Sequence, residues 1–589
     1  MTSRPDRAVR AWLLAGLCAG LVACADMADE PSPAEGAQAA LARGDGRAAE
    51  RHLRDMLAQG SQPAELAALL GQAALQQGDL PKARRWLGEG NFSEETAALG
   101  FRLLGRLELR EGRLGEAAAA FNRALDINSE SAALWADIGR LRFRGGEQIE
   151  AIEAAERAIA IDPKDPAALH FRGQLVRDSH GPIPALEWYA AAAENGAGDR
   201  EILTDYAATL GEIGEAHAAL DVLDEVAARW PAAPRVSFLR AVLAARGGDT
   251  QTARGLLQRA PQAERDSPAG LMLGGIIDLE QGHYASAAQT FDRLAGLQPD
   301  NRHVSHLLAL ALSLSGGERE LVARFAEAAN ARYATPYLRM SVGRALEALD
   351  RREEAAIYLD AAARPAGLTI SPLPSRTPSE AIRVSKLESG LALRDFVREM
   401  LRPGETDEAV AEAQEFAERF PGSGDAARLL GDAQLANGDL DKAIASYARA
   451  ARVRQDWPLT NRLMAAYLAK GDEAAMVEVL EFHLAGGTRN PSSSAFAGAI
   501  LAERQQFARA AAMLDSAIAH GSGRDPGVLV LRSEMALRLG AREEAADFAL
   551  RAHRLQPMYP PAIQARLRTL EDGEARARLE RKLRSISSR

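Results

Sequence analysis

Two neighbouring stretches decide the fold: FRLLGRLELREGRLGEAAAAFNRALDINSE at Phe101–Glu130 and LWADIGRLRFRGGEQIEAIEAAERAIAIDP at Leu134–Pro163. Each carries a small residue in a first helical segment, then a Gly-containing turn, then an alanine-rich second segment. Counting a unit from residue 98 puts Gly105 at place 8, Ala117 at 20, Phe121 at 24 and Ala124 at 27. A step of 34 residues lands on Gly139, Ala151, Ala155 and Ala158, with Pro163 at place 32. Further steps reach Gly173, Ala185, Tyr189 and Ala192, and continue to Gly343, Ala355, Leu359 and Ala362. Backwards, the register meets Gly71, Ala83 and Leu87, and more faintly Ala49 and Leu53. Ten units between about residue 30 and residue 369 therefore keep one phase. A fixed period of this length is the signature of stacked repeats, because one unit cannot bury its own apolar face.

The spacing resembles the tetratricopeptide repeat, and Trp135, Ile138 and Gly139 fit its W-x-x-L-G opening most closely. The resemblance implies an all-α, right-handed α-solenoid of helix-turn-helix repeats. Small residues at places 8, 20 and 27 let two antiparallel helices approach, and the large residue at 24 fills the space beside them. Proline at 32 stops the second helix. Residues 370–389, with SPLPSRTPSEAI, break the register and predict a Pro/Ser-rich joint. A second, irregular array is expected over 390–559. Gly431, Ala443, Tyr447 and Ala450 fit one unit strongly, and the pattern returns at Gly498, Ala510, Leu514 and Ala517. Around Asn461–Leu484 it reads as shortened. The segment 560–589 predicts a single charged capping helix.

The N-terminus reads as an address. Arg4, Arg7 and Arg10 precede the uncharged run AWLLAGLCAGLVA, which is too short to span a bilayer and suits a signal-peptide core. It ends in Leu21-Val22-Ala23-Cys24, which resembles the lipobox of bacterial lipoproteins. That resemblance implies a signal peptide at 1–23, a diacylglyceryl group on Cys24, and a polar tether over 24–36. With Ala25 following the cysteine, it further implies the outer membrane, facing the periplasm. The alternative is an ordinary secretory signal with Cys24 incidental. Cys18 and Cys24 are the only cysteines, so no disulfide framework extends beyond residue 24. The net charge of −10 argues against a general nucleic-acid binder, which needs a basic surface to displace counterions.

Signatures of catalysis are missing from the sequence: no H-E-x-x-H, G-x-S-x-G or phosphate-binding loop is present. His303 and His306 share a helix face, but two ligands without a third do not make a metal site. HGSGRDPG at His520–Gly527 reads as a turn between repeats. No cofactor, metal or small-molecule substrate is implied.

The resemblance instead points to a groove lined by places 2, 5, 9 and 12 of each first helix, where ligand peptides lie. Carried onto this chain, those places give Arg102, Arg106, Arg140, His170, Gln174 and Arg177. They continue with Phe238, Val242, Met272, Ile276, Leu279 and Leu310, then Tyr337, Met340 and Arg344. The stretch runs from basic to apolar to mixed. The arginines suit a carboxylate-bearing partner, since a guanidinium pairs with carboxylate two bonds at a time. The competing reading is that they are solvated and paired to nearby glutamates, with Phe238 and Met272 merely packed. The Lys and Asn set of the family's peptide-carboxylate clamp is not reproduced. The expectation is a membrane-anchored scaffold that binds proteins or peptide segments in an envelope assembly. A periplasmic carrier of client proteins and, further behind, an enzyme with a groove site are the alternatives.

Overall fold

The computed structural model describes residues 32–363 except 197, 232, 300, 332 and 333, together with 394, 397, 401 and 406–587. The expected signal peptide, Cys24 and the 370–389 joint lie outside the described residues. Among the described residues there is no strand; the chain is an α-solenoid of antiparallel helix pairs. The first helix, Pro33–Ala42, begins inside the expected tether, where Ser32 and Glu35 form a reciprocal capping box.

The period is visible in the backbone. Glycines at 44, 78, 112, 146, 214, 248, 282 and 316 all take positive φ, at place 15 of their units. This left-handed residue ends each first helix and swings the chain into the second, a conformation glycine adopts without a Cβ penalty. In the fifth unit the glycine comes one residue late, at Gly181, and in the tenth Asp350 adopts φ 62° instead.

The small and large places meet as expected. A Cβ on Gly275 would lie 2.5 Å from the Phe291 ring, and one on Gly431 would lie 2.6 Å from Tyr447. Ala117, Ala151, Ala185, Ala219, Ala253 and Ala287, all at place 20, have no exposed surface. Gly139 is a variation. Its own place 24 is the small Ala155, and the Phe171 ring of the next unit fills the space instead.

One expectation is sharpened and one needs correction. The shortened stretch is a complete helix pair, Trp457–Lys470 and Glu473–Ala485, whose turn glycine Gly471 comes 33 residues after Gly438. Its places 8, 20 and 27 hold Met464, Met476 and His483, all buried, so a flexible thioether does the packing that glycine and alanine do elsewhere. The predicted single capping helix is two, Pro560–Thr569 and Glu574–Ser587, interrupted at Leu570–Gly573.

The solenoid closes on itself. The Trp230 indole N–H donates to the Gly44 carbonyl at 3.1 Å, across 186 residues. Beside it Gly198 packs so tightly on the Ala42 carbonyl that a Cβ would collide. Each such contact sets a turn within a unit against a loop between units one superhelical turn later. The second array repeats the arrangement. Gln148 N–H donates to Gly422 O at 3.0 Å, Gln455 N–H to Asp178 O at 3.0 Å and Ile183 N–H to Gly486 O at 3.1 Å. Backbone-to-backbone bonds thus stack the second array on the turn edge of the first.

Candidate functional site

Closure of the first superhelical turn frames a partly open cavity of about 470 Å³ lined by residues of units one to six. It is bounded by the first helices Ala97–Arg110, Ala132–Gly145 and Pro166–His180, and by the seam at Gly44, Gly198 and Trp230. Arg102, Arg106, Arg140 and His170 line it, so places 5 and 9 do face inward. Arg110 and Arg144, at place 13, and Arg200, at place 1, line it as well.

Asp137 is the hub. Arg102 Nε donates to it at 2.8 Å, Arg140 Nη1 at 3.0 Å, and Arg106 Nε stands 3.9 Å away. Burial by itself would raise the Asp137 carboxyl, but the three guanidiniums hold it below the usual carboxylate range. Asp137 is 2% exposed, whereas Arg102, Arg106 and Arg140 keep 19%, 30% and 24% of their side-chain surface open to the cavity and solvent. One carboxylate therefore serves three cations. Burial together with the charges of Arg106 and Arg200 lowers the Arg110 pKa, with Glu201 and Asp199 opposing.

The place-13 side chains do something the groove reading misses. Arg110 donates to the Leu75 carbonyl at 3.3 Å, Arg144 to Leu109 at 2.7 Å and Arg246 to Gly211 at 2.6 Å, each spanning 35 residues. Gln76 does the same to Leu41 at 2.9 Å. Each reaches across to cap the open C-terminal carbonyls of the first helix one unit back, a favourable site for a cation. The 34-residue recurrence of a long donor at this place was readable in the sequence.

The remaining candidates scatter. His170 Nε2 and Gln174 Nε2 converge on Asp205 at 3.0 and 3.3 Å, and Arg235 joins at 2.7 Å. Although burial opposes it, this partnership holds the Asp205 carboxyl far below its ordinary value. Arg177 pairs with Glu212, and Arg344 with Glu347 at 2.7 Å, as exposed ion pairs. Phe238 and Val242 are half-buried on the cluster of Ala241, Ala253, Leu273 and Ile277, while Met272 packs on the neighbouring core. Ile276 is 36% exposed, and Leu310 is half-buried. Tyr337 is half-buried, whereas Arg344 is exposed. The second array reaches both, placing Arg524 near Tyr337 and Lys582 near Arg344. His306 sits 2.9 Å from the Thr335 hydroxyl, with its ring 5.4 Å from Tyr337. Among the described residues no three His, Cys, Asp or Glu side chains cluster as metal ligands. No helix there is long and apolar enough to cross a membrane.

Four segments of the chain, 35–91, 102–166, 207–268 and 395–458, match the tetratricopeptide-repeat model. The chain carries tetratricopeptide repeats. Solved structures with a similar arrangement include pilF of Pseudomonas aeruginosa, 18% identical, covering 36% of this chain and 96% of that one, with a TM-score of 0.30. Human IFIT1, as a dimer with PPP-AAAA, is 16% identical over 71% of this chain and 95% of its own, with a TM-score of 0.33. A tetratricopeptide repeat protein from Parabacteroides merdae is 16% identical, covers 45% and 91%, and scores 0.23. No curated protein matches the chain. The repeats themselves support a scaffold for protein–protein interaction, in a fold that is typically not catalytic.

Proposed function

We propose that this tetratricopeptide-repeat chain is a membrane-anchored scaffold that holds protein partners in a cell-envelope assembly, such as one for polysaccharide export or secretion. The observation that carries the scaffold is the long solenoid, whose second array is stacked on the first by backbone bonds at Gly422, Gln455 and Gly486. Such stacking makes a rigid platform with a long exposed surface from units that are individually small. The anchor is supported by the lipobox-like Leu21-Val22-Ala23-Cys24. The outer membrane is the expected address because Ala25, not Asp, follows the cysteine.

Crosslinking and pull-down from native membranes, comparing the wild type with Cys24→Ala, tests both parts. A consistent set of envelope proteins that depends on Cys24 is the expected result. Soluble fractionation of both forms with no partner recovered contradicts it. A second reading, a carrier of client proteins, draws on the half-exposed Phe238, Val242 and Ile276. Phe238→Glu weakening the capture of unfolded peptides would favour the carrier over the fixed scaffold.

A further inference from the structure

We infer that the cavity of the first superhelical turn is a binding site for a compact oxyanion carrying two or more negative charges. Its walls hold six arginines, Arg102, Arg106, Arg110, Arg140, Arg144 and Arg200, against four carboxylates, Asp137, Asp165, Asp199 and Glu201. Six minus four leaves two arginine charges without a matching carboxylate among the lining residues, in a protein whose net charge is −10.

The carboxylates are also less available than their number suggests. Asp165 accepts from the backbone of Ala168 at 2.8 Å, and Asp199 from Glu201 at 2.8 Å, each as the cap of a helix. Asp137 is divided among three guanidiniums, and Glu201 stands 3.7 Å from Arg110. Arg106 has its nearest carboxylate oxygen at 3.9 Å, beyond hydrogen-bonding distance, and Arg200 makes no ion pair among the described residues. A guanidinium offers five donors in a planar fork matched to phosphate and carboxylate oxygens. Donors left idle inside a concave, partly desolvated wall are what an anion site consists of, because attraction strengthens as water is excluded.

Charge sets the class, and size admits a small molecule. About 470 Å³ falls within the range of small-molecule pockets. The seam at Gly44, Gly198 and Trp230 walls off one side. A diphosphate or a tricarboxylate fits within that volume and matches the surplus charge. This site is independent of the scaffold reading and would stand if that reading fell.

Titration calorimetry of the purified full-length chain with pyrophosphate and, separately, with citrate tests it. One site per chain is expected for the better-fitting anion, weakening as salt rises. Tighter pyrophosphate assigns the natural ligand to phosphate esters, and tighter citrate to polycarboxylates. Arg106→Ala should weaken binding roughly tenfold or more, as expected for loss of a charge-assisted pair. Arg177→Ala, whose side chain pairs with Glu212, should leave it unchanged. Gly198→Val should weaken binding with every arginine intact, by forcing the seam apart at Ala42. Arg106→Lys covers the case in which the alanine variant misfolds, since it keeps the charge and loses the fork. Absence of heat with both anions at millimolar concentration overturns the inference. So does affinity that Arg106→Ala and Arg106→Lys, both folded by circular dichroism, leave untouched.

Discussion

Both arrays place an aspartate at the sixth or ninth position of a first helix and aim arginine at it, yet the two sites differ in kind. In the second array Asp432 meets Arg462 at 2.6 and 3.2 Å, and the Tyr447 hydroxyl donates to it at 2.8 Å. Arg462 is 6% and Asp432 1% exposed, with no surplus charge between them. In the first array three partly open guanidiniums share Asp137. A matched, sealed pair is structural. An unmatched, open cluster has capacity left for something else. The lesson is that stoichiometry and exposure, rather than the mere presence of arginine on an inner face, separate a structural contact from a candidate site.

The comparison can be broken at several points. The largest effect is expected for Asp432→Ala, which strands a buried guanidinium and should lower stability by about 3–5 kcal/mol in urea denaturation. Asp137→Asn should cost less, about 2 kcal/mol, because its arginines reach water. Added pyrophosphate should restore the melting temperature of Asp137→Asn and not that of Asp432→Ala. Equal losses, or rescue of both, would erase the distinction.

Acidification sharpens it further. Asp137 and Asp205 have folded pKa values below their unfolded ones, so their contribution is present at neutral pH and is lost as pH falls below about 4. His306 acts over a different window. Burial, with His303 and Arg302 nearby, lowers its pKa to about 4, so its contribution is present above the unfolded value near 6.5 and declines between there and 4. His306→Phe should flatten the stability profile in that window alone; an unchanged slope would contradict the assignment. The smallest effects lie at the turns. Asp350→Gly and Gln505→Gly remove side chains from positive φ, at 62° and 60°, and should raise stability by up to about 1 kcal/mol each in thermal melts.

Much of the fold was legible in the sequence, because small residues at places 8 and 20 are required for helix approach and recur every 34 residues. Where Met464 and Met476 took those places, the pattern vanished while the helix pair persisted. The inward placement of Arg102, Arg106 and Arg140 followed from the repeat register. Their charge balance did not, since it depends on Asp137 and on Arg200 from a unit two further along. The seam from Gly44 to Trp230 and the docking of Arg524 near Tyr337 are products of superhelical curvature, which sums small rotations over many units and leaves no local mark. Arg110 and Arg144 were missed although their spacing was regular, because place 13 lies beyond the groove positions that the family resemblance supplied.

Hydrogen–deuterium exchange of the full-length chain, with and without saturating pyrophosphate, tests the central claim most directly. Protection confined to the helices Ala97–Arg110, Ala132–Gly145 and Arg200–Ile213, with none in Gly424–Asn437, is the predicted result. Protection that is absent, or that appears equally around Asp432, would contradict the account.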